Sequence, residues 1–142
     1  MNLHWLTDLS RLEATCGRKL GIRVGGPVHE WHLAGDAVLK EAARRLTRAV
    51  RSYDSVGRYG GEEFLIVLPG CDRNQTVNTA ERIRSEIGGT PVLAAGVEIL
   101  FTLSIGATVA GPGAYPPTEV LGVADSALYQ AKHAGRDRTV LV

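Results

Sequence analysis

The stretch Gly57-Arg58-Tyr59-Gly60-Gly61-Glu62-Glu63-Phe64-Leu65-Ile66-Val67-Leu68-Pro69 sets two glycines between a β-friendly segment and an apolar run. A Gly-Gly pair takes positive φ without steric cost, which suits a tight hairpin turn. Glu62 and Glu63 leave that turn at once, and residues 64–68 read as a buried strand. Paired carboxylates on a hairpin tip, beside backbone free of side chains, suit a divalent cation and an approaching phosphate chain, because hard cations take oxygen ligands. The same residues also fit a solvated hairpin tip, and the turn by itself leaves both readings open.

Working outward, Gly35-Asp36 reads as the opening of a helix with Asp36 as N-cap. Ala37, Val38, Leu39, Ala42, Ala43, Leu46 and Val50 form its apolar stripe, while Lys40, Arg44, Arg45 and Arg48 read as a solvated face. Downstream of the hairpin, Asp72 with Gln75 three residues on has the form of a capping box. Val77, Ala80, Ile83 and Ile87 then repeat at helical spacing up to Gly88-Gly89. Residues 91–95 and 97–109 read as β structure around a turn at Ala95-Gly96. Beyond a Gly- and Pro-rich loop, Thr118 is the expected cap of a last helix. That helix carries Val120, Leu121, Ala124, Ala127, Leu128 and Ala131 and closes at Gly135, with a short strand over residues 138–142. Residues 1–28 are the least legible. Leu3, Trp5, Leu6, Leu9, Leu12 and Leu20 predict a helix over residues 3–20, and only residues 22–24 read as strand. Strands alternating with helices, plus two hairpins, predict an α+β sheet with helices packed on it.

The length of 142 residues fits one domain over residues 1–142. A formal net charge of +1 predicts neither a nucleic-acid patch nor an acidic tail. Cys16 and Cys71 have no metal-ligand spacing and make no disulfide framework, so a reducing, cytoplasmic setting is expected. No apolar run reaches membrane-spanning length, so no membrane contact is expected from this domain.

Residues 58–64 resemble the signature of GGDEF domains, the diguanylate cyclase family, in its glutamate form. Further matches follow in family order. They are His32-Leu33-Ala34-Gly35-Asp36, Ser104-Ile105-Gly106, and Ala124-Asp125-Ser126-Ala127-Leu128-Tyr129-Gln130-Ala131-Lys132 with Gly135-Arg136. The resemblance covers residues 29–142. It implies a fold like that of nucleotide cyclases and polymerase palms, a ferredoxin-like core with a central, mostly antiparallel sheet flanked by helices. It also implies condensation of two GTP into cyclic di-GMP with release of pyrophosphate, with Mg²⁺ or Mn²⁺ as cofactor. Each of two facing domains would hold one GTP, so a homodimer is needed for catalysis.

Carried over residue by residue, Gly60 and Gly61 admit the GTP phosphates and Glu62 binds metal. Glu63 is the second catalytic or metal-binding carboxylate. Asp36 accepts hydrogen bonds from the guanine edge, since an ionised carboxylate is acceptor-only. Lys132 and Arg136 hold phosphate oxygens; four residues apart, they share a helix face if the helix persists that far. Without the resemblance they read as favourable charge near a helix C-terminus. Arg51-Ser52-Tyr53-Asp54 matches the family's Arg-x-x-Asp product-inhibition site at the family spacing from Gly60, with Arg58 as a third contact to cyclic di-GMP. A lone Arg-x-x-Asp is otherwise a helix-end ion pair.

The N-terminal part departs from the family. There a buried strand ends in Asp-x-Asp-x-Phe-Lys, followed by Asn-Asp. Counting back from Asp36 without gaps puts Lys19 at the metal-ligand position and Pro27 at the guanine-reading asparagine. An ammonium has no lone pair to give a cation, and proline has no side-chain amide. The expectation is a first strand missing or altered and a weak or absent cyclase activity. The alternatives are a degenerate sensor of cyclic di-GMP or GTP, and a dimerisation or partner-binding module.

Overall fold

The computed structural model describes residues 17–24, 31–94, 96–111 and 115–142, with side chains from residue 35 onward. Helix α1 spans Trp31–Ala49, strands β2 and β3 span Ser55–Gly60 and Glu63–Val67, and helix α2 spans Arg73–Gly88. Strand β6 covers Phe101–Ala107, helix α3 Pro117–His133 and strand β7 Thr139–Leu141. Successive side chains of a strand point to opposite faces of a sheet. In β3 and the residue after it, Phe64, Ile66 and Leu68 face one way and join Phe101, Leu103 and Ile105 of β6. The same core takes Val38, Ala42 and Leu46 from α1 and Ala80, Ile83 and Ile87 from α2. Leu65 and Val67 face the other way and pack with Leu121 of α3. The sheet therefore lies between α1 and α2 on one side and α3 on the other.

The first strand is present. Strand β1, Gly17–Val24, sits in the middle of a sheet ordered β2-β3-β1-β6-β7, antiparallel to both neighbours. Among the described strands, only β6 and β7 run parallel. The expected helix over residues 3–20 is thus wrong at residues 17–20; residues 1–16 lie outside the described residues. Leu20, Ile22 and Val24 alternate with Gly21 and Arg23. That short period-two signal overlaps the leucine spacing that suggested a helix. Hydrogen bonding to two flanking strands decides such a conflict, because strand formation depends strongly on its partners.

Other boundaries also move. Helix α1 begins at Trp31, so Asp36 lies inside it and exposed rather than at its cap. A glycine such as Gly35 costs a helix about 1 kcal/mol, which good neighbours can offset. Helix α2 has the expected capping box, with Gln75 N–H donating to Asp72 Oδ1 at 2.8 Å and Asp72 N–H to Gln75 Oε1 at 2.9 Å. Its buried positions are Thr76, Ala80, Ile83 and Ile87, with Val77 only half-buried. Helix α3 starts at Pro117 without a side-chain cap, so Thr118 does not cap it. Proline suits the first helical position because the N–H it lacks has no intrahelical partner there. The expected β run over residues 97–109 is divided. Strands β4, Val92–Ala94, and β5, Val97–Ile99, form a separate hairpin, and Leu100 breaks β5 from β6.

Arg45, expected on a solvated face, is a clamp between helices. Its Nη1 donates to the carbonyls of Ile87 at 3.0 Å and Thr90 at 2.6 Å, and its Nη2 to Pro91 at 3.0 Å. These groups lie at the end of α2 and in the segment leading to β4. Its Nε donates to Glu41 Oε1 at 2.8 Å, and Arg44 Nε donates to Glu41 Oε2 at 2.7 Å. The Arg44 hydrogen bond, with Arg45 adding to it against partial burial, lowers the Glu41 pKa from 4.5 to about 2. A depressed carboxyl stabilises the fold fully above its unfolded value and loses that contribution as pH falls through the folded one. Glu41→Gln should therefore destabilise the protein near pH 6 by about 1 kcal/mol, discounted for the water that still reaches this group. Urea titrations of the two proteins should converge between pH 4.5 and about 2. A gap that stays constant over that window would show that ionisation of Glu41 is not its source.

Candidate functional site

The hairpin between β2 and β3 closes at Gly60, which pairs with Glu63 after a register shift next to Arg58. Gly61 has φ of +44°, in the left-handed region that a side chain disfavours. Arg58 fastens the tip, with Nε donating to the Gly61 carbonyl at 2.8 Å. Its guanidinium is thus engaged at the turn, with Nη2 on the same carbonyl. Glu62 stands exposed on the turn.

Glu63 opens β3 and stands in register with Gly21 of β1. Lys132, near the end of α3, reaches across and donates to Glu63 Oε1 at 3.2 Å. Tertiary packing thus joins two expected site residues that lie far apart in the chain. Along β1 the residues are Gly-Arg-Lys-Leu-Gly-Ile-Arg-Val. The strand beside Glu63 carries three basic residues and no carboxylate. Lys19, at the position expected for a metal ligand, pairs in register with Leu65 on one side and Gly106 on the other. Pro27 lies outside the described residues. Among the described residues no three His, Cys, Asp or Glu side chains converge as a metal cluster.

Arg136 does not continue the helical face of Lys132. The chain leaves α3 after His133, with Gly135 at φ +110° and the Arg136 N–H bonded to the Ala131 carbonyl at 3.0 Å. This is the Schellman closure, in which a left-handed residue turns the chain out of the helix. Arg136 and Asp137 follow with φ of +60° and +44°, which L-residues adopt only at a cost of about 1 kcal/mol or more each. Arg84 of α2 pins this turn, Nη1 donating to Asp137 Oδ1 at 2.8 Å. Glu81 holds Arg84 from the other side at 2.9 Å, and that Arg84 hydrogen bond, with Thr139 adding to it, lowers the Glu81 pKa.

Arg51 and Asp54 sit together in the turn between α1 and β2. The Arg51 N–H donates to Asp54 Oδ2 at 2.7 Å, and the Asp54 N–H to the Arg51 carbonyl at 3.0 Å. The Arg51 guanidinium reaches instead to Tyr53, donating from Nη1 to the phenol oxygen at 2.8 Å. Tyr53 was not singled out in the sequence, although an aromatic within Arg-x-x-Asp was a visible signal. Asp36 projects from α1 and is exposed. No helix among the described residues is long and apolar enough to cross a membrane.

This arrangement has clear relatives. The family model described as "Diguanylate cyclase, GGDEF domain" matches residues 31–138. Diguanylate cyclase DosC of Escherichia coli is 45% identical over 112 residues, covering 78% of this chain and 24% of that protein. The chain spans about a quarter to a third of the length of such curated relatives. Diguanylate cyclase SiaD of Pseudomonas aeruginosa, solved in complex with its activator SiaC, superposes with a TM-score of 0.82 at 31% identity. That likeness covers 93% of this chain and 51% of SiaD. The GGDEF domain of DgcB from Caulobacter crescentus, in complex with c-di-GMP, gives a TM-score of 0.79 at 28% identity, over 89% of this chain and 77% of that one. With the Gly60-Gly61 hairpin, the flanking helices and these matches together, the chain belongs to the GGDEF family of diguanylate cyclase domains.

Proposed function

We propose that this domain serves cyclic di-GMP signalling in the cytoplasm as a nucleotide-binding GGDEF domain whose condensation of GTP is strongly attenuated. The family's reaction implies a divalent metal in general terms. The donor set among the described residues does not fit one. Glu62 is exposed on the turn, Glu63 is engaged by Lys132, and β1 beside Glu63 offers no carboxylate. The observation that carries the reading is this central strand, which pairs with β3 beside Glu63 and holds no carboxylate. The groups expected to face the nucleotide remain in the chain. In this reading Gly60 and Gly61 admit the phosphates, Lys132 and Arg136 meet phosphate oxygens, and Asp36 accepts from guanine. A second copy of the domain would face the first across a pair of GTP.

Cyclic di-GMP is the ligand of Arg51 and Asp54 in the same reading. A guanidinium fork matches the O6 and N7 acceptors of guanine, and one such bidentate contact is worth about 1–3 kcal/mol. Calorimetric titration should show the protein binding cyclic di-GMP, with Arg51→Ala weakening it at least about tenfold. Wild-type protein that takes up no cyclic di-GMP, or an Arg51→Ala variant that binds as well, would remove this reading.

A further inference from the structure

We propose that Tyr53 is a positioning and specificity residue, holding the Arg51 guanidinium ready for a guanine edge. This rests on reading the Arg51-Ser52-Tyr53-Asp54 turn as the cyclic di-GMP site. Two contacts join the same pair of side chains. Arg51 Nη1 donates to the Tyr53 hydroxyl at 2.8 Å, and the guanidinium carbon stands 5.7 Å from the Tyr53 ring centroid. Asp54, by contrast, holds the backbone amide of Arg51. The carboxylate thus shapes the turn, while the phenol sets the fork.

The consequence is a prepared donor array. Arginine has five N–H donors, and Tyr53 takes one of them from Nη1, leaving the others to a ligand. A long side chain fixed before binding loses less rotamer freedom on binding, which favours the complex. Guanine presents O6 and N7 to such a fork, whereas adenine presents an N6–H₂ donor where guanine has O6. A fork held in one orientation separates the two bases better than one that can swing away. Tyr53 remains 59% exposed, so part of its ring is open for a base to stack on. Asp54 Oδ1 is buried in the turn, with no hydrogen-bond partner among the described residues.

The test is a set of calorimetric titrations of the full chain with cyclic di-GMP and with cyclic di-AMP. Tyr53→Phe keeps the ring and loses the hydroxyl. It should weaken cyclic di-GMP about fivefold and change cyclic di-AMP by less than about twofold, narrowing the preference for guanine. Tyr53→Ala should cost on the order of thirtyfold for cyclic di-GMP, since it also removes the stacking surface. In an Arg51→Ala background, Tyr53→Phe should have no further effect, because its role acts through Arg51. Thermal midpoints of the Tyr53 variants should stay close to wild type, as expected for an exposed side chain. An unchanged guanine-to-adenine ratio in Tyr53→Phe, or an equal loss in the Arg51→Ala background, overturns the inference while the site itself stands. A wild-type protein silent to cyclic di-GMP removes both.

Discussion

Incubated with GTP and either Mg²⁺ or Mn²⁺, the purified protein should make cyclic di-GMP at least about a hundredfold more slowly than a relative whose first strand carries the metal-binding aspartate. A metal ion in a phosphoryl-transfer site contributes several kcal/mol of transition-state stabilisation. Each 1.36 kcal/mol lost is a tenfold fall in rate. Here Glu63 already has the Lys132 ammonium at 3.2 Å, and the sequence of the neighbouring strand holds no carboxylate. A metal cation drawn to Glu63 meets the Lys132 ammonium there. Chromatographic separation of the nucleotides after an extended incubation measures the rate. Because little activity should depend on the turn, Glu62→Ala should leave the residual rate within about twofold of wild type. Product formation at the rate of a full cyclase, abolished by Glu62→Ala, would show that the site is complete after all.

Gly106→Ala should unfold the protein or lower its thermal midpoint by more than about 10 °C. A Cβ at this position would stand 2.1 Å from the Leu128 backbone nitrogen, 2.4 Å from the Ala124 carbonyl oxygen and 2.6 Å from the Leu128 Cα. All three are backbone atoms of α3, so no rotamer change relieves the overlap. The helix must back away from β6, and with it go the buried Leu121, Ala124, Ala127 and Leu128. Overpacking of this kind belongs to the few mechanisms that cost about 4 kcal/mol or more. Each kcal/mol corresponds to roughly 2–4 °C in a domain of this size. Gly122→Ala is the control within the same helix. Among the described residues, no atom beyond its chain neighbours and the helix's own backbone lies within 4 Å of a Cβ there. Alanine at an open helical position should raise the midpoint slightly, by about 0.5–1 kcal/mol of added stability. Circular dichroism melts of the two variants read the contrast directly. A Gly106→Ala protein melting within a few degrees of wild type would mean that α3 is not seated on β6 at this point.

The elements legible in the sequence were those whose signals are local. The Asp72 and Gln75 capping box, the alanine-rich stripe of α3 and the alternation through β6 each declare themselves within one element. Strand β1 did not, because two glycines and three basic residues leave only Leu20, Ile22 and Val24 to mark it. Its conformation comes from β3 and β6, which lie far along the chain. Among the expected site residues, Glu62 and Glu63 were readable on the hairpin. Their electrostatic setting was not, since the Lys132 contact with Glu63 exists only once α3 packs on the sheet. Arg45 shows the same limit. Its spacing places it with the solvated arginines of α1, and only the folded chain brings the carbonyls of Ile87, Thr90 and Pro91 to it. The spacing of Lys132 and Arg136 pointed to a shared helix face, and the positive φ at Gly135 and Arg136 undoes that geometry.

The position of β1 also bears on the order in which the chain can be completed during synthesis. Residues 17–24 leave the ribosome well before residues 63–67, and both precede residues 101–107. The sheet needs all three segments, with β1 between the other two. A nascent chain must keep this strand unpaired on both edges until its first partner emerges, and on one edge until its second does. Long-range pairing of this kind slows folding and prolongs exposure to wrong partners. Like charges disfavour association of one copy of a strand with another. The two arginines and the lysine of β1 can therefore guard the strand while it waits.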